Sequence, residues 1–189
     1  MKNSNCLMAL AAATLTVLAS CNEKKASNPT IITTDYEIPQ PQAPIKMEAV
    51  SNQENVEWLE RNYLVTIDRT PADSLSKVKD EYGQEYVPNS IRLTITRPDG
   101  SEFFNRLFTK ASFVSYLPED YKRDGILTDM RLYETDSQKL TFFVCHNFPN
   151  GTDDELCILE LSVDTDGNTA IRRNEGYDMR GNWDNGNDM

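Results

Sequence analysis

The chain has 189 residues and a formal charge of −11, with 30 acidic against 19 basic residues and a single histidine. So acidic a balance opposes binding to nucleic acid or to anionic lipid headgroups. One histidine also leaves few ways to assemble a histidine-activated nucleophile or a zinc site.

Lys2 is followed by an apolar run over 7–18, then by Ala19, Ser20 and Cys21. That run is too short to cross a bilayer as a helix, and its layout is that of an export signal. Leu18-Ala19-Ser20-Cys21 resembles the bacterial lipobox, which implies cleavage before Cys21 and diacylglycerol on its thiol. Residues 1–20 therefore read as a signal, and its removal with Lys2 takes the formal charge to −12. The resemblance implies acyl chains on both the thiol and the new amino terminus, and two chains are what stable anchoring needs. The partner so implied is a lipid bilayer, reached through acylated Cys21. Residues 21–50 read as the lipidated cysteine and a tether: Pro29, Pro39, Pro41 and Pro44 interrupt a polar stretch without apolar periodicity. Extended, such a tether reaches ~90 Å, and as a flexible coil it averages ~30 Å.

A globular domain is expected over 51–175. Ser51 with Glu54 forms a capping-box pattern ahead of Val56, Trp58 and Leu59, which predicts a short helix. Alternation then predicts strands over 63–69 and 91–97, with a weaker edge excursion over 78–87 around Gly83. Pro98-Asp99-Gly100 turns the second of these strands into another over 102–108. Thr109 is placed to cap a second helix over 109–117, with Phe108 stapled onto Phe113 and Pro118 ending it. Four strands follow, over 126–134, 139–146, 156–163 and 169–173. Residues 176–189 read as a loose tail. The fold class is thus mainly β with minor α: an antiparallel meander of about seven strands with one or two short helices, as a sandwich, a barrel or an open sheet.

Cys145 and Cys157 are the two thiols left after Cys6 goes with the signal and Cys21 is acylated. A loop symmetric about Gly151 would set Cys145 opposite Cys157, making them candidates for a cross-strand disulfide. The competing account treats both as small buried hydrophobes that stay reduced. On that register Leu140, Phe142 and Val144 join Leu156 and Ile158 on the other face. A strand pair apolar on both faces belongs at the centre of a covered sheet, and a ligand groove leaves the same signature.

His146 cannot serve Cys145 in catalysis, because adjacent strand residues point to opposite faces. The run from Asp164 resembles an EF-hand calcium loop, with Asp164, Asp166 and Asn168 at positions one, three and five and Glu175 at twelve. Thr169 stands where that loop needs glycine, no helices flank it, and Asp166-Gly167 between β-like runs signals a hairpin. No metal or cofactor set is therefore expected. Asp153-Asp154-Glu155 reads as solvated turn charge, and Phe103, Phe104, Phe108, Phe113 and Tyr116 read as core.

At 97–104, followed by Phe108-Thr109-Lys110 and 113–117, the chain resembles a family of uncharacterised lipoproteins from gut bacteria of the Bacteroides type, classed only as a domain of unknown function. The similarity runs from about Tyr63 to Glu175 and includes Gly125-Ile126-Leu127 and Ile171-Arg172-Arg173. It implies an outer-membrane lipoprotein and transfers no catalytic residues. In such bacteria an acidic run after the lipidated cysteine favours surface display. Glu23 followed by Lys24-Lys25 departs from that and points to the periplasmic face. The expected role is a non-enzymatic module that binds an envelope protein or ligand. The alternatives are a carrier of an apolar ligand on the Leu140, Phe142, Val144 face, and a carboxylate-based hydrolase.

Overall fold

The structure, a computed structural model, describes residues 42–174. Cys21, Glu175 and the 176–189 tail lie outside the described residues. Two four-stranded antiparallel sheets face one another. The first has the order β1-β2-β5-β6, with β1 Val50–Trp58, β2 Arg61–Pro71, β5 Asn89–Thr96 and β6 Glu102–Phe108. The second has the order β10-β9-β8-β7, with β7 Ile126–Thr135, β8 Lys139–Asn147, β9 Cys157–Asp164 and β10 Thr169–Arg173. A two-residue pair, β3 Val78–Lys79 and β4 Glu85–Tyr86, stands apart at the excursion expected around Gly83.

Alternation produces the core directly. Tyr63, Val65 and Ile67 of β2, with Ile91, Leu93 and Ile95 of β5, point inward against Leu140, Phe142 and Val144 of β8 and Leu159, Leu161 and Val163 of β9. The mainly antiparallel β fold is as expected, and the sandwich is the arrangement adopted.

Three local expectations are corrected. Residues 50–58 form strand β1 instead of a capped helix. Val56 and Trp58 alternate inward with period two, and the Ser51 hydroxyl bonds the Asp68 carboxylate across the sheet instead of capping anything. Residues 109–117 form two 3₁₀ turns, Lys110–Ser112 and Val114–Tyr116. Pro118 forces Leu117 into extended backbone at ψ 148°, which leaves too short a run for an α-helix. The helix α1, Glu119–Asp124, starts after that proline, with Glu119 and Asp120 in its first turn and Lys122 and Arg123 in its last, as the helix dipole favours. Phe108 does stack on Phe113, at 5.7 Å between ring centroids.

The third correction is the register of β8 with β9. Asn147 caps the connection: its Oδ1 accepts from the Phe148 N–H and its Nδ2 donates to the Thr152 carbonyl. A Cβ on Gly151 would lie 2.2 Å from Asn147 Oδ1, so glycine serves close approach here and does not mark the loop's midpoint. The pairing is displaced by one residue, with His146 opposite Cys157 and Cys145 opposite Ile158. One residue of slip exchanges faces.

Residues 43–48, expected in the tether, are held against the fold. The Ile45 N–H donates to the Glu85 carbonyl at 2.9 Å, the Val87 N–H donates to the Ile45 carbonyl at 2.9 Å, and Lys46 pairs with Asp73.

Candidate functional site

The displaced register puts the two cysteines on opposite faces of the second sheet. Cys145 packs with Phe143 and Ile158 on the outer face, whereas Cys157 abuts the core. Both thiols are free. Burial pushes the Cys145 thiol up to about 11, helped by the nearby Asp129 carboxylate. Burial also raises Cys157. Neither thiol is therefore poised as a thiolate nucleophile.

Asp164, Asp166 and Asn168 make a hairpin turn. Asp164 Oδ1 accepts from the backbone N–H groups of Asp166 at 2.9 Å and Asn168 at 2.8 Å, and Gly167 takes φ +80°. The carboxylate a calcium ion would need is turned onto its own loop, and these bonds hold it below the usual carboxylate range, the Asn168 side chain foremost. Among the described residues, no three His, Cys, Asp or Glu side chains converge as a metal-binding group. Asp153 to Glu155 form a 3₁₀ turn in which Glu155 Oε2 accepts from the Thr152 N–H.

Leu140, Phe142 and Val144 are fully buried beneath the first sheet, so that face holds no open groove. The aromatics expected in the core are largely there: Phe104, Phe108 and Phe113 are buried, and Phe103 meets Trp58 and Tyr63 edge-on. Tyr116 instead stands exposed.

The open space lies elsewhere, in a cleft of about 620 Å³ between β1 and β7, closed at one end by residues 45–47 and by the 148–156 loop. Its apolar wall includes Ile45, Met47, Val87, Ile126 and Leu156, and Arg69, Asp129 and Arg131 bring charge to it. Each of the three is fixed by its element. Arg69, on β2, donates through Nη1 to the Thr128 carbonyl at 2.7 Å and through Nη2 to the Glu48 carbonyl at 3.1 Å. Thr128 is the extra residue of a β-bulge that re-aims β7, and Asp129 follows it opposite Cys145. Arg131 lies over the Phe143 ring at 5.8 Å, and Tyr133 stacks on the same ring at 3.8 Å. Such a cavity, with a largely apolar wall and a few placed polar groups, has the make-up of a ligand site. Sequence reading misses it because its walls come from β1, β2, β4, β7, β8 and two loops, and no motif spans them.

A second cleft, of about 600 Å³, is lined by Lys79, Asp80, Glu81, Tyr82, Asp124 and Glu155 beside the 148–151 loop. Its acids are engaged locally. Asp80 alone accepts from the Tyr82 and Gln84 N–H groups, the Tyr86 hydroxyl and Asn150 Nδ2.

No curated protein matches the chain. Residues 31–171, most of the sequence, match the family model described as Domain of unknown function (DUF4738), and the chain belongs to that family.

Proposed function

We propose that this chain is a lipid-anchored envelope protein that binds a ligand or partner without transforming it, using the cleft between β1 and β7. Cys21 would carry the lipid, on an outer membrane and facing the periplasm, as the lipobox and the lysines after Glu23 suggest. The observation that carries the binding role is the 620 Å³ cleft, an apolar wall with the Arg131 guanidinium over the Phe143 ring at its side. Its composition suits an amphipathic ligand or a partner side chain with both apolar and charged parts. A non-enzymatic role is supported by how the carboxylates are used: Asp80, Glu155 and Asp164 each satisfy loop N–H groups, a structural duty that competes with acid–base work.

Two measurements test this. Growth with an alkyne-tagged fatty acid should label the protein in a bacterial host, and Cys21→Ala should abolish the label; labelling that persists would remove the anchor. Native mass spectrometry of the purified protein should show co-purified mass that Arg131→Glu and Val87→Trp both strip. Turnover of an envelope substrate, lost on changing one polar residue, would overturn the non-enzymatic reading. Retained lipid would favour a carrier over a protein-binding scaffold.

A further inference from the structure

His146 is the only histidine of the chain, has no exposed surface, and has no hydrogen-bond partner at either ring nitrogen. Leaving a buried polar group unpaired is costly, and native folds rarely do so without a use. Directly opposite it across the β8–β9 ladder, on the same face of the sheet, stands Cys157, which is only partly buried. We infer that His146 and Cys157 together form a two-ligand site for a soft monovalent metal ion of the copper(I) class, entered from the solvent side of Cys157.

The geometry permits it. Opposed residues of an antiparallel pair hold their Cβ atoms about 4.5–5.5 Å apart. Metal–sulfur and metal–imidazole bonds of about 2.3 and 2.0 Å place the two donor atoms of a linear site about 4 Å apart. No hydrogen bond joins the two side chains, so their donor atoms are not committed to each other. The ion's identity follows from charge and coordination number. Two-coordination is ordinary for copper(I) and poor for zinc, and thiolate is the ligand that selects soft ions. On binding, Cys157 releases its proton to solvent, and the thiolate and the imidazole each donate a lone pair; no electron is transferred. One thiolate with a monovalent cation is neutral, as a site against an apolar core requires, whereas a divalent ion would leave a net positive charge there. The Lys110 ammonium nearby opposes further positive charge at the imidazole. Phe113, edge-on to the imidazole at 5.3 Å, shields the site on one flank.

The test uses the full-length chain with Cys6→Ser and Cys21→Ser, so that Cys145 and Cys157 are its two remaining thiols, and with ¹⁵N-labelled histidine. Copper(I) is titrated anaerobically against a chromophoric chelator while the imidazole nitrogens are followed by NMR. One equivalent should be retained and one imidazole nitrogen should shift. Cys145→Ser should change neither result. Cys157→Ser should abolish the shift and weaken binding by more than the roughly 10–100-fold that loss of an outer-shell partner brings. An unmoved imidazole, read on protein whose histidine and Cys157 are intact, would overturn the site whatever the variants do. Binding that survives Cys157→Ser would overturn it as well. Zinc should not reproduce the shift, and an equal shift would overturn the monovalent assignment.

Discussion

His146 bears on stability as well as on ligation. Burial foremost, and then Lys110, lower its folded-state pKa to about 3 from 6.5. The unfolded chain therefore takes up a proton that the native protein refuses. The stability this contributes is complete above pH 6.5 and is lost as pH falls toward 3. Between pH 6.5 and 5, above the range where most carboxylates titrate, about 2 kcal/mol should disappear, visible as a lower urea midpoint at unchanged m-value. Because the chain has one histidine, His146→Phe should flatten that window, and a slope that survives would refute the assignment. The thiols offer a second reading at this scale. Without reductant both should alkylate, with Cys157 first, because Cys145 is more deeply buried and its pKa is raised to about 11. Mass spectrometry of a time course checks the order. The two thiols and the solitary histidine can be counted from composition. Their pairing cannot, because it turns on one residue of register set by how Asn147 folds over Gly151.

Among the elements, the hairpin from β1 to β2 shows why one strand escaped recognition. Its two-residue turn is Leu59-Glu60, with φ of +52° and +61°, between the paired residues Trp58 and Arg61. A turn with two positive φ values ordinarily carries Asn-Gly, so nothing in the sequence announces a hairpin there. A capping-box pattern then wins by default. The mismatch stores strain of about 1 kcal/mol per residue. Glu60→Gly, or Leu59→Asn with it, should raise the melting temperature by several degrees, as a gain of about 1 kcal/mol does for a domain of this size. No gain would mean that the left-handed pair is relaxed. Where turn chemistry and alternation agree, as at Pro98-Asp99-Gly100 between β5 and β6 or at Asp166-Gly167 between β9 and β10, strands are legible in the sequence. Pro118 was legible as a stop. That α1 begins immediately beyond it was not, because six residues carry too little periodicity to register.

At the scale of the whole domain, both sheets contribute to one contiguous core, and Trp58 ties the β1 end to the β7–β8 turn by donating from Nε1 to the Asp136 carbonyl. Unfolding should therefore be a single transition. Leu93→Ala, at a fully buried position of the first sheet, should cost about 2–5 kcal/mol and lower the hydrogen-exchange protection of β8 amides as much as that of β5 amides. Protection lost in the first sheet alone would show two independent layers. The β class is written in the alternation, but the cleft is not, since its walls meet only in the folded chain, where Arg69 fastens β2 to the β7 bulge and to Glu48. The same fastening has a mechanical consequence. Any pull on the chain from its N-terminal side enters the described fold at residues 42–45 and loads, first of all, the two backbone bonds of Ile45 and the Lys46–Asp73 pair. Ile45 and Met47 also form part of the cleft wall. Tension sufficient to peel that short segment should widen the cleft before it strains a single rung of either four-stranded sheet.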